Sequence, residues 1–100
     1  MTRDEIIVSK KAEQALRSIG YPVSDDSRIT YADAMKWLEY VYAARIVVIC
    51  SIDCDTIDGV EYYCLVSMGE FERVTRRYVN RATAIDNAIY RIAEKVINRS

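Results

Sequence analysis

The chain has 100 residues, of which 51% are hydrophobic and 29% charged, a composition that indicates one folded domain and excludes a disordered or low-complexity chain. Its 14 basic and 15 acidic side chains give a net charge of −1, which indicates no general preference for a polyanion or a polycation. The chain contains no histidine, which excludes Ser-His-Asp triads, Cys-His pairs and histidine metal ligands. We therefore predict a protein that is not an enzyme, with no catalytic or metal-binding residues, no cofactor and no evident small-molecule substrate.

Neither a membrane segment nor a metal site is predicted. The longest uncharged apolar run, residues 46–52, is far shorter than the roughly 20 residues that span a bilayer. No signal-peptide core follows the charged N-terminal sequence, so we expect a cytoplasmic protein with no membrane contact. The spacing of Cys50, Cys54 and Cys64 fits neither a zinc site nor a redox motif, and we expect buried or half-buried reduced thiols.

Two helices are predicted in the first half of the chain. Apolar residues recur at three- and four-residue steps over residues 4–19, and Gly20 follows as a C-terminal stop. Residues 21–29 form a polar linker. Thr30 can then cap a second helix that extends to about Ala44. Its core-facing stripe contains Ala34, Leu38 and Val41.

Three strands and a final helix are predicted in the second half. The apolar period changes to two, and short turns separate three β-branched segments, which indicates an antiparallel meander. The predicted strands cover residues 45–53, 60–68 and 71–79. Asn80 caps a last helix that extends to about Asn98, in which Asp86 is expected to be solvated. The predicted fold is a single α+β domain over residues 1–100, in the order α-α-β-β-β-α, with residues 30–98 as its core.

The two faces of the predicted sheet are both apolar. The second and third helices are expected to cover one face, formed by Ile46, Val48, Cys50, Ile52, Tyr62, Cys64 and Val66. The other face carries Val47, Ile49, Tyr63 and Leu65, which is too apolar to leave in water. Either the first helix or another subunit must cover it. We predict self-association, as a homo-oligomer, or a protein partner at these four residues.

Charged residues cluster in two places. Residues 51–70 carry five acidic and no basic side chains, whereas residues 71–100 carry seven basic and three acidic ones. The acidic group, Asp53, Asp55, Asp58 and Glu61, misses the calcium-loop spacing by one residue, which favours a solvated turn over a cation site.

The basic group, Arg73, Arg76, Arg77 and Arg81, is a candidate nucleic-acid contact. The predicted order α-β-β-β-α is also that of double-stranded-RNA-binding domains, but the lysine cluster of those domains is absent here. Arginines on an edge strand also block unwanted strand pairing, which is the alternative explanation.

Several segments resemble one group of proteins. They are the opening Met-Thr-Arg-Asp-Glu-Ile-Ile-Val-Ser-Lys-Lys-Ala, the Trp-Leu pair in residues 30–39, the paired Tyr62 and Tyr63, and the alanine-rich helix from Ala82 to Ile97. The chain thereby resembles a family of small uncharacterised proteins of phages and prophages of gut Bacteroidales. The resemblance implies a mobile-element origin and an α+β fold like a phage α/β sandwich domain, and it implies no catalytic residues.

Overall fold

Three helices and a three-stranded antiparallel sheet form the part of the chain that the computed structural model describes, residues 7–22, 29–52 and 59–99. The elements are α1 (Lys10–Ser18), α2 (Tyr31–Tyr42), β1 (Arg45–Ile52), β2 (Val60–Met68), β3 (Phe71–Val74) and α3 (Arg81–Arg99). The strands lie in the order β1-β2-β3. The predicted α+β class and the order α-α-β-β-β-α are confirmed.

Helix α1 begins at Lys10, later than predicted. Ser9 is its N-cap, because the Ser9 Oγ accepts a hydrogen bond from the Ala12 N–H at 3.2 Å. Residues 7 and 8, before this cap, are not helical, and the Val8 N–H donates to the Ile29 carbonyl at 2.9 Å. Ile29, predicted to belong to a polar linker, is buried in the core at 1% exposure. Positions 4–6 and most of the predicted linker, 23–28, lie outside the described residues.

The start of α2 was predicted correctly and its end was not. The Thr30 Oγ1 accepts from the Asp33 N–H at 3.2 Å, which is the expected cap. The helix ends at Tyr42 because Ala43 adopts a left-handed conformation, with φ of 57°. Val41, expected to face the core, is 47% exposed, and Tyr31 is buried instead.

Helix α3 organises the core. The Asn80 Oδ1 accepts from the Ala82 N–H at 2.8 Å, which confirms the predicted cap. The helix packs mainly against β2 on one side and against α1 on another. Its buried residues are Ala84, Ile85, Ala88, Ile89, Ile92 and Ala93. Val96 of the same helix is half-buried and packs against this core.

The helices cover one sheet face only in part. Cys64 and Val66 of β2 are buried beneath them, as predicted. Cys50 and Ile52 were expected on the same covered face, yet both are exposed, Ile52 at 70%. Because α3 lies over the sheet centre, the carboxyl end of the outer strand β1 extends beyond the helices.

A β-bulge shortens the third strand. The Thr75 N–H donates to the Cys64 carbonyl, and the Thr75 Oγ1 replaces a backbone carbonyl as acceptor for the Cys64 N–H, both at 2.9 Å. Two residues earlier on β2, Tyr62 pairs with Tyr78, which is three residues after Thr75, so the outer segment contains one extra residue. The predicted alternation over residues 71–79 is therefore wrong beyond Thr75. The bulge returns Tyr78 to the helix side of the sheet, against the core.

Asp86, expected to be solvated, is half-buried and joins the three helices. Its Oδ1 accepts from the Ser9 N–H at 2.8 Å, at the N-terminus of α1. The same carboxylate is hydrogen-bonded to Tyr31, the first residue of α2. Burial, the charge of Asp86 and this hydrogen bond together raise the pKa of Tyr31 to about 12.

Replacement of Asp86 by alanine should destabilise the fold. Asp86→Ala removes the acceptor of both the Ser9 N–H and the Tyr31 hydroxyl, and we expect the free energy of unfolding to fall by about 2 kcal/mol. Urea unfolding followed by circular dichroism measures this loss. Glu94→Ala, also at a half-buried position of α3, is the control, and an equal loss in both variants would contradict the role of Asp86.

The contribution of Tyr31 should depend on alkaline pH. The raised pKa means that the folded state favours the neutral phenol, so its stabilisation is complete below pH 10 and is lost as the pH rises to about 12. We expect Tyr31→Phe to be less stable than the wild type at pH 8, by about 1 kcal/mol. That difference should shrink above pH 10. A difference that stays constant over this range would show that Asp86 does not pair with the Tyr31 hydroxyl.

Candidate protein-interaction surface

The sheet has one face that the described helices leave uncovered. It is called here the second sheet face and consists of Val47, Ile49, Tyr63, Leu65 and Val74. Helix α1, one of the two elements expected to cover it, packs against α3 on the opposite side. Val47, Leu65 and Val74 are 46%, 40% and 56% exposed. The four residues predicted from the sequence therefore do share one face.

An apolar row crosses all three strands at this face. Val47 lies opposite Leu65, and Leu65 lies opposite Val74, so their side chains are adjacent across the sheet. Ile49 lies opposite Tyr63 and extends the apolar area along the strands. Val74 was not predicted to belong to this face, because the register of β3 against β2 was not assigned from the sequence. The two-residue turn at Gly69 and Glu70 contains the signal, since it pairs Met68 with Phe71 and thereby Leu65 with Val74.

Charged side chains of both signs surround the apolar row. At one end an open groove is bordered by Arg45, Glu72 and Arg73, with Val47, Leu65 and Val74 among its lining residues. Towards the other end, the guanidinium of Arg77 lies 5.4 Å from the centre of the Tyr63 ring, a cation–π contact.

The four candidate nucleic-acid residues are exposed but do not converge on one face. Arg77 lies over Tyr63, whereas Arg73 lies 5.7 Å from the ring of Phe71, whose other neighbour is the Lys95 ammonium at 5.2 Å. Arg76 lies in the bulge, and Arg81 is the first residue of α3. Within residues 7–22, 29–52 and 59–99, none of the four forms an ion pair with a carboxylate.

The cysteines differ in their surroundings. Cys64 is fully buried, and burial raises the pKa of its thiol to about 11, so the thiol stays neutral and is a poor nucleophile. Cys50 is exposed, which corrects the expectation of a buried or half-buried thiol. Cys54 lies outside the described residues, as do Asp53, Asp55 and Asp58 of the acidic turn. The described residues contain no group of three or more side chains that could hold a metal ion.

The aromatic residues are mostly structural. Trp37 of α2 packs edge-on against Tyr21 at 5.0 Å and against Tyr42 at 5.6 Å. The Tyr42 hydroxyl donates to the Ile19 carbonyl at 3.0 Å, which ties the end of α1 to α2. Tyr40 is 89% exposed. Tyr63, in contrast to these tyrosines, belongs to the second sheet face.

Comparison of the chain with protein-family models, with curated proteins and with solved structures finds no match. The resemblance to phage and prophage proteins thus stays a prediction from the sequence. Among the described helices, none combines the length and the apolar character that a membrane crossing requires.

Proposed function

We propose that this chain is a non-enzymatic interaction protein that associates with itself through the second sheet face. The observation that supports the proposal is the exposed row of Val47, Leu65 and Val74. A contiguous apolar area on an antiparallel sheet is normally packed against a core, and its exposure is typical of an interaction site. An accessory role in a phage or prophage and a cytoplasmic location stay predictions from the sequence.

The charges around the row favour a second copy of the chain as the occupant. Arg45 lies beside Glu72 at the groove, so the rim contains both signs within one patch. In a two-fold interface each patch meets the same patch in reverse, and a mixed rim can then pair with itself. A polyanionic partner would instead favour a rim of one sign.

A charge at the centre of this face should prevent the association. Leu65 is the middle residue of the apolar row, and Leu65→Glu would bury an unpaired carboxylate between two copies. We expect the dissociation constant for self-association to rise at least tenfold in sedimentation velocity runs over a range of concentrations. Val41→Glu is the matched control, because Val41 has similar exposure but lies on α2. Equal behaviour of the two variants, or a strictly monomeric wild type, would refute the proposal.

A nucleic-acid-binding accessory role is the second candidate. It is favoured by the contact of Arg77 with Tyr63, since single-stranded RNA is bound by basic groups next to aromatic rings on a sheet. Arg73, Arg76 and Arg81 are exposed and supply further positive charge.

The arginine hypothesis has a direct test in fluorescence anisotropy with a labelled RNA single strand and a labelled RNA duplex. If the hypothesis is correct, binding at low salt weakens as salt is added, and Arg76→Gln with Arg77→Gln weakens it about tenfold and lowers the salt slope by about two. Lys36→Gln, at an exposed position on α2, should leave binding unchanged. Absence of binding at low salt would end this hypothesis.

A further inference from the structure

The outer strand β1 lacks the usual protection of a sheet edge. It has eight residues, Arg45–Ile52, and Arg45 is its only charged one. It contains no proline or glycine, and its pairing with β2 is continuous. The opposite edge is protected, because β3 has four residues and ends in an arginine-bearing bulge. Long apolar edges without such protection are templates for pairing with another strand.

The hydrogen-bonding groups that face outward can be assigned from the ladder. Tyr62 and Tyr78 exchange both backbone hydrogen bonds, at 2.7 and 2.8 Å, so the backbone groups of Tyr62 point towards the β3 side. Those of Tyr63 then point towards β1 and its partner Ile49. The backbone N–H and C=O groups of alternate residues of β1 therefore point outward from the edge of the sheet. No described residue pairs with these groups. These residues are Ile46, Val48, Cys50 and Ile52.

The two ends of β1 are complementary in shape. Beside its start an open groove lies between α2 and the strand, with Ala32, Met35, Ala44 and Ile46 among its lining residues. At its other end Ile52 is 70% exposed, and its alternation with Ile46 and Val48 places it on the helix side. In an antiparallel pair of β1 strands, Ile52 of each copy would reach the groove of the other.

We propose that β1 pairs antiparallel with β1 of a second copy, with Val48 opposite its own equivalent. Ile46 then lies opposite Cys50, and Ile52 lies opposite Ala44 in the groove. Arg45 of each copy lies opposite Ser51 of the other and on the same face as Glu61, which is paired with Ser51. The separation of Arg45 and Glu61 is two strand spacings, roughly 10 Å, which the two side chains can bridge. The result is a closed two-fold dimer with a continuous six-stranded sheet.

The dimer also makes the second sheet face large enough for a stable interface. The three strands of one copy present a face of roughly 14 by 27 Å, or about 400 Å². A standard stable interface needs about 800 Å² from each partner. Antiparallel pairing at β1 places the two second faces side by side on one surface and doubles this area. The edge pairing uses different residues from the second sheet face, so it can form without association through that face.

Sedimentation velocity of two lysine variants tests the pairing of the β1 edges. Both variants also carry Leu65→Glu, which removes association through the second sheet face. We expect Leu65→Glu alone to remain dimeric and Leu65→Glu with Ile52→Lys to have a dissociation constant at least tenfold higher. Leu65→Glu with Val41→Lys is the control and should remain dimeric. A monomeric Leu65→Glu, or a dimer unaffected by Ile52→Lys, would overturn the proposal, and circular dichroism verifies that each variant is folded.

Disulfide trapping tests the register. In the proposed pair of β1 strands, residues opposite each other have Cα atoms about 5.5 Å apart, which is within the range of a disulfide. Positions 46 and 50 of one strand are roughly 13 Å apart, which is too far for a disulfide within one copy. With oxidised glutathione as the oxidant, Ile46→Cys should form a covalent dimer through Cys50 of the second copy. Ile46→Cys with Cys50→Ser should not. A covalent dimer in both variants, or in neither, would overturn the proposed pairing.

Discussion

The carboxylate of Asp86 is the contact on which the arrangement of the helices depends. It belongs to α3, which lies on the sheet, and it accepts from the Ser9 N–H at the start of α1. Its hydrogen bond with Tyr31 holds the start of α2 at the same point. A negative charge near two helix N-termini is stabilised by both helix dipoles. Since one residue holds α1 and α2 to a helix on one side of the sheet, the described helices leave the opposite side uncovered.

The bulge after Thr75 gives the two edges of the sheet different properties. The Thr75 hydroxyl takes the place of a backbone acceptor, so the ladder continues to Tyr78 with one extra residue. That extra residue makes the backbone irregular after β3, at Arg76 and Arg77, and charge and irregular backbone oppose further pairing. The β1 edge has neither feature. A sheet with one protected and one open edge can form one edge-to-edge contact with a second sheet and no further one. Such a contact gives a dimer rather than a fibre.

The sequence predicts the elements well where local chemistry determines them. Thr30 and Asn80 are caps that act within three residues, and the alternation in β1 and β2 follows directly from side-chain burial. The errors concern long-range contacts. Asp86 looks solvated on a helical projection because its partner Ser9 is 77 residues away. The same contact places Ser9 against α3, immediately before the start of α1 at Lys10.

The candidate surface was predictable only in part, because the position of α1 also depends on long-range contacts. Alternation along β1 and β2 placed Val47, Ile49, Tyr63 and Leu65 on one face, but it could not show on which side α1 would pack. Once α1 lies on α3, the open face and the open edge belong to one sheet, and antiparallel pairing keeps both helix layers on the same side. Edge pairing therefore enlarges the apolar face rather than burying it. A domain of 100 residues buries a modest share of its surface, and association at such a face would add to the apolar surface that it buries.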